Sequence, residues 1–251
     1  MKSSRLLKFF EEYIKKIDMN SAWAKAKYFH SLKAMDLAKT LANNFEIFSE
    51  EELVVIELIG LFHDIGDFEQ NNYNFIDNSE EDMAMKSINI LFDGGIVRKI
   101  TDETKYDNMI KLAIFCHNKD GLPKNIDEKT TVVCNIMKDV HNIEEIRMVL
   151  NYPYIDNRIN EYPTSLVYNN FKLFRKINNK MSENNADNIL ISLSRLFDLN
   201  YNCSYEVIGE KNYISKIINS LQFEEKKIEK FFKQIDVVLN NYIKKKKSVS
   251  D

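Results

Sequence analysis

Three observations make all-α the fold class that this sequence predicts. Apolar residues recur three and four positions apart along nearly the whole chain, the spacing of one helix face. Six glycines and three prolines among 251 residues supply too few turn formers for a strand-rich fold. Gly66, Gly94-Gly95 and the Ser49-x-x-Glu52 pattern fall at the ends of periodic runs. Hydrophobic residues make up 44% of the chain, enough for a sizeable core at this length.

The elements follow in order. A first helix covers about Ser4–Ile17. A second starts at Asn20 or Ser21 and runs to about Asn43, with Trp23, Ala26, His30, Ala34, Leu37 and Leu41 along one face. The third opens on the capping box Ser49-x-x-Glu52, runs to the His63-Asp64 doublet and ends at Gly66. A polar, Asn-rich loop carrying Phe68, Tyr73 and Phe75 leads to a helix over about Ser79–Phe92, stopped by Gly94-Gly95. Loop aromatics of this kind stack on a base or, more commonly, anchor the loop to the core. Helices over about Lys105–Cys116 and Glu128–Leu150 come next, separated by HNKDGLP. The stretch NYPYIDNRINEYPTS is the longest without periodicity and sets an internal boundary near residue 160. Beyond it, helices are expected over about Ser165–Met181, Ala186–Phe197, Asn212–Leu221 and Phe223–Lys246. No strand pattern stands out. The reading is an N-terminal helical domain over 1–160 and a C-terminal helical extension over 161–251. The extension is expected to pack on the first domain, because its amphipathic faces need a partner and it has no linker-like Gly, Ser or Pro run.

Composition narrows the function classes. The formal net charge is −3, from 35 basic and 38 acidic residues, which gives no footprint for duplex nucleic acid. The basic run Lys244–Lys247 suits the C-terminal end of a helix dipole. Three cysteines, an odd number without a CxxC pair, argue for reduced thiols and against a thiolate zinc site. With no signal-peptide pattern and no run of eighteen apolar residues, the expectation is a cytoplasmic protein without a membrane segment. The oligomeric state is open.

Chemistry concentrates in the histidines. There are four, His30, His63, His117 and His141, each in or at the end of an expected helix and beside apolar neighbours. A histidine of this kind, taken alone, is ordinarily a hydrogen-bonded structural residue. Four of them with Asp64 also make up the donor types that bind zinc, nickel, manganese or iron, and a helical bundle gathers such groups from distant positions. No local spacing such as HExxH is present, so spacing leaves both readings open.

The motifs add a resemblance. YFHSLKAMDLAKTLA resembles the first-histidine helix of the HD superfamily of metal-dependent phosphohydrolases, and LIGLFHDIGDFEQ resembles its signature doublet in the version HDIGRFEQ. FIDNSEEDMA, YDNMIKLAIFCHNK and NIMKDVHNIEE align without gaps to a bacterial subfamily that reads roughly F-x-D-x-x-S-x-DHA, A-x-x-x-HNK and IRDADKLDN. The similarity covers about Lys16 to Arg147, and more loosely RLFDLNYNCSYEVI. It implies an HD-domain helical bundle over 1–160 and a divalent ion held by His30, His63 and Asp64. His141 stands where the family has its usual aspartate ligand, and Asp139 matches the earlier aspartate of that motif. The two lie about 200° apart on a helix, so only one of them faces an ion. The alignment favours His141 with Asp139 as runner-up, and helical periodicity does not decide between them.

The retained and substituted positions imply roles. Asp64, His117 and Lys119 would carry catalysis, with His117 donating a proton to the leaving oxygen or binding phosphate and Lys119 near the phosphate. Asp67, Asp82, Asn118 and Asn142 would line the substrate. The implied reaction is hydrolysis of a nucleotide or related phosphate ester by metal-activated water. Four positions depart from the family. Asp67 replaces its arginine, Met83 a histidine, His141 an aspartate and Asn142 a lysine. These substitutions carry the alternative, a catalytically degenerate HD scaffold that binds a nucleotide, metal or protein partner without turnover. An Arg-to-Asp difference about 8 Å from a phosphate is worth about 4 kcal/mol at an effective dielectric near 20. On sequence grounds, Asp67→Arg is therefore expected to speed hydrolysis, and Asn142→Lys to help further.

Overall fold

The computed structural model describes residues 3–69, 80–151 and 156–248, with the side chains of 69, 80–82 and 151 outside that description. Tyr73 and Phe75, and the side chain of Asp82, therefore lie outside the described residues. Two compact units emerge, Met1–His141 and Asn142–Asp251.

The first unit is built from α1 (Ser3–Ile14), α2 (Ala22–Ala42), α3 (Glu50–Phe62), α4 (Glu80–Phe92), the short α5 (Ile96–Ile100), α6 (Asp107–Cys116) and most of α7 (Glu128–Asn151). Ser21 caps α2, accepting from the Ala24 N–H. At α3 the expected capping box forms in both directions. The Ser49 hydroxyl accepts from the Glu52 N–H, and the Ser49 N–H donates to the Glu52 carboxylate at 2.8 Å. That carboxylate also takes Lys129 Nζ at 2.8 Å, tying the start of α3 to α7. Leu6, Phe10 and Ile14 form the buried stripe of α1. Phe10 meets Phe62 and Phe68 edge-on. Phe68 is 2% exposed and also packs on Trp23, so it anchors its segment to the core.

The pairing of α2 with α3 positions the site, and glycine makes it possible. A Cβ on Gly60 would stand 2.7 Å from the Ala34 carbonyl oxygen and 2.9 Å from the Ala38 Cβ. With small residues facing each other, the helices approach closely, and His30 on α2 comes opposite His63 at the end of α3. Gly60→Val is expected to cost about 3 kcal/mol, because the obstructing atom is backbone and cannot move aside. Thermal unfolding checks this. A variant as stable as the wild type would mean the two helices separate freely.

The sequence reading of the doublet needs a correction. Helix α3 ends at Phe62, and His63-Asp64 form a turn that continues as a 3-10 segment over Ile65–Glu69. Gly66 does not stop the helix. A Cβ there would lie 2.8 Å from the Met83 carbonyl oxygen and 2.9 Å from the Ser87 nitrogen, and the Gly66 N–H donates to Ser87 Oγ at 2.9 Å. Its role is to let the backbone of α4 come close.

The second unit holds α8 (Ser165–Lys172), α9 (Asn185–Ser194), α10 (Asn202–Lys211), α11 (Tyr213–Ser220) and α12 (Lys226–Lys247). A two-residue parallel pairing joins β1 (Arg158–Ile159) to β2 (Gln222–Phe223), strands too short to carry an alternating pattern. Ile228, Phe232, Ile235, Leu239 and Ile243 make the buried stripe of α12, as its amphipathic pattern requires. Helix α8 stops at Lys172, well before Met181, and Phe174 sits at φ 53° just beyond it. Helix α10 has no counterpart in the sequence reading. It starts without a side-chain cap and buries only Ser204, Tyr205 and Ile208, which leaves almost no apolar periodicity to read. Asn212 at φ 53° turns the chain from α10 into α11, a conformation that asparagine tolerates better than most residues. The division between the units falls inside the continuous helix α7, upstream of the aperiodic stretch near residue 160.

Candidate metal centre

All four histidines lie in the first unit, and their rings form a chain. Ring centroids are 5.1 Å apart for His30 and His63, 5.0 Å for His63 and His117, and 5.0 Å for His117 and His141. His30 comes from the middle of α2, His63 from the turn after α3, His117 from the end of α6 and His141 from α7. His30 and His63 are fully buried, His117 nearly so, and His141 half-buried.

Asp64 joins the rings with both oxygens. Its Oδ2 lies 3.2 Å from His30 Nε2 and 3.5 Å from His63 Nε2, while Oδ1 lies 3.4 Å from His117 Nε2. Among the described residues the donor atoms form two overlapping groups, His30–His63–Asp64 and His63–His117–His141, each within 4.8 Å. His63 belongs to both.

Backbone carbonyls set the ring tautomers. His63 Nδ1 lies 2.9 Å from the Gly60 oxygen, and His117 Nδ1 lies 2.6 Å from the Ile114 oxygen. A carbonyl only accepts, so each Nδ1 carries the proton, and in the neutral ring Nε2 presents a lone pair inward. Burial above all holds His63 neutral. It lowers the pKa to about 3, against the pull of Asp64. Burial opposes the Asp64 charge, yet His63, Lys27, His117 and His30 outweigh it and keep the carboxyl well below the usual range. His63 Nε2 lies 3.3 Å from His30 Nε2 and 3.5 Å from Asp64 Oδ2. Imidazole and carboxylate donors of this kind suit zinc, nickel, manganese or iron.

One cation absent from the sequence reading sits at the edge. Lys27 Nζ lies 3.1 Å from Asp64 Oδ2 and 2.5 Å from Asp67 Oδ2. Asp67 is thus ion-paired, and burial raises its carboxyl pKa although Lys27 pulls it down. Lys27 stands three positions before His30, on the same helix face, a spacing that could have flagged it.

The remaining expected residues are placed as follows. Asp139 is fully buried on α7 and belongs to neither donor group among the described residues. Asn118 and Lys119 are half-buried in the turn after α6, with Lys119 Nζ 5.4 Å from the centre of the Phe115 ring. Asn142 is buried in the second unit, where its Nδ2 donates to the backbone and side chain of Asp198 at 3.4 Å.

Residues 28–146, the segment that carries the four histidines and Asp64, match the family model described as HD domain. That segment is similar to the HD domain, a family whose proteins are in general metal-dependent phosphohydrolases and typically bind divalent metals. The helical architecture agrees with an all-α HD-domain bundle. Neither a curated protein nor a solved structure matches the chain. No helix among the described residues is long and apolar enough to cross a membrane.

Proposed function

We propose that the protein is a metal-dependent phosphohydrolase acting on a nucleotide or related phosphate ester. The observation that carries this reading is the convergence of the His30, His63 and Asp64 donor atoms within 4.8 Å of one another, in a buried cluster within the segment matched by the HD domain. A divalent ion bound there supplies Lewis acidity toward a phosphoryl oxygen and lowers the pKa of water toward neutrality.

The residues of the chain do the rest. Gly60 and Ile114 hold the His63 and His117 rings with Nε2 turned toward Asp64. We assign His30, His63 and Asp64 to the ion, with His141 rather than Asp139 as the further donor. His117 Nε2 faces Asp64 Oδ1, which favours a donor role for it over that of proton donor to the leaving oxygen. The buried rings exclude water from one side, so a substrate approaches past the partly exposed Asp64, Asp67 and Lys27. The non-catalytic scaffold reading draws on Asp67 and Met83, which stand where the resembling proteins carry arginine and histidine.

Metal analysis of protein purified without chelator, followed by a panel of nucleoside mono-, di- and triphosphates with the metal found, separates the readings. Bound divalent metal with turnover supports the hydrolase, and bound metal without turnover on any ester favours the scaffold. In the same assay His141→Ala is expected to lose more metal than Asp139→Ala. The reverse order would move the ligand assignment to Asp139.

A further inference from the structure

We infer that Lys27 is the residue that meets the substrate's phosphate, supplying from α2 the positive charge that the resembling proteins carry at position 67. This rests on the phosphohydrolase reading and adds a specific recognition group to it.

Asp64 Oδ2 is approached by Lys27 Nζ at 3.1 Å, by His30 Nε2 at 3.2 Å and by His63 Nε2 at 3.5 Å. The ammonium and the proposed ion-holding rings thus compete for the same atom. A divalent cation taken by those donors repels Lys27, because two positive charges a few ångströms apart in a poorly hydrated site interact strongly. Asp67, 2.5 Å from Nζ, keeps the ammonium at the site rather than releasing it to solvent.

Charge and exposure then select the ligand. Lys27, Asp64 and Asp67 together carry a net charge of −1, and a divalent ion makes the set +1. The loaded site therefore attracts an anion, while the empty one repels it. Among the described members of this set, the side chains with residual exposure are Lys27 at 13%, Asp64 at 11% and Asp67 at 16%, whereas His30 and His63 have none. An anion arriving from solvent meets the ammonium before it meets the rings. Lysine serves phosphate as a compact point charge with rotatable donors. Phosphate and divalent cation should each promote the binding of the other, as linkage requires.

Lys27→Met and Lys27→Arg, compared with wild type by calorimetry, test this with manganese(II) alone and with inorganic phosphate on the manganese-loaded protein. Thermal unfolding verifies that the variants fold. In Lys27→Met, phosphate affinity is expected to fall roughly 10- to 100-fold, the loss of one charge-assisted hydrogen bond. Lys27→Arg should retain most of it. Manganese affinity without phosphate should be unchanged or higher in Lys27→Met, since a repelling charge is gone, a result that a merely structural lysine would not give. Equal phosphate affinity in wild type and Lys27→Met at matched metal content would overturn the inference while leaving the hydrolase reading intact. So would loss of manganese from Lys27→Met, which would make Lys27 a support for Asp64. A wild type that binds no manganese would end both.

Discussion

His63→Ala is expected to strip the protein of its divalent metal and, with it, of phosphohydrolase activity. His63 is the one side chain shared by both donor groups, so its removal leaves neither complete. Even partners one step removed from a metal cost 10- to 100-fold in affinity when replaced, so a direct ligand should cost at least about 100-fold. The neighbouring Gly60 carbonyl loses its hydrogen bond from Nδ1, but the α2–α3 contact through Gly60, Ala34 and Ala38 remains. The variant should therefore keep its helical circular dichroism. Metal analysis after equilibration with zinc or manganese provides the check, and full metal retention would remove His63 from the ligand set.

The second large effect concerns Asp67, where structure and sequence point in opposite directions. On sequence alone, exchanging Asp67 for the family's arginine relieves repulsion of a phosphate. In the structure that carboxylate is already ion-paired with Lys27 at 2.5 Å. Asp67→Arg would replace an ion pair by two cations in a site where both side chains are less than one-fifth exposed. Breaking a buried pair from one side commonly costs 3–5 kcal/mol, and partial exposure here brings that to about 2–4 kcal/mol. For a chain of this length, the melting temperature should fall by about 5–15 °C. The opposite result, an unchanged melting temperature with faster hydrolysis, would restore the view that residue 67 faces the phosphate directly and alone.

The contrast shows which parts of the site were legible. The meeting of His30 with His63-Asp64 could be read because histidine is rare in this chain and each of these histidines stands in a recognisable local pattern. The capping box at Ser49 was readable because its chemistry is local, spanning three positions. Lys27 was missed because its importance lies in a contact 37 and 40 positions away, with Asp64 and Asp67, and lysines on helix surfaces are common. Sequence leaves the choice between Asp139 and His141 open, since α7 is buried on more than one side and its periodicity favours neither. In the fold, α10 escaped because its buried residues are a serine, a tyrosine and an isoleucine. Gly66 misled for a simple reason. In sequence, a glycine after a periodic run marks a stop, whereas here it marks a close approach by α4.

The central claim is that the cluster around His63 and Asp64 holds a divalent ion. Anomalous diffraction from crystals of the wild-type protein, grown without chelator and measured at the absorption edge of the metal found by elemental analysis, tests it most directly. The result predicted is an anomalous peak within coordinating distance, about 2.0–2.2 Å for nitrogen and oxygen donors of zinc, of His63 Nε2 and an Asp64 oxygen. An anomalous map with no peak at these residues, from protein grown with zinc or manganese in excess, would contradict it.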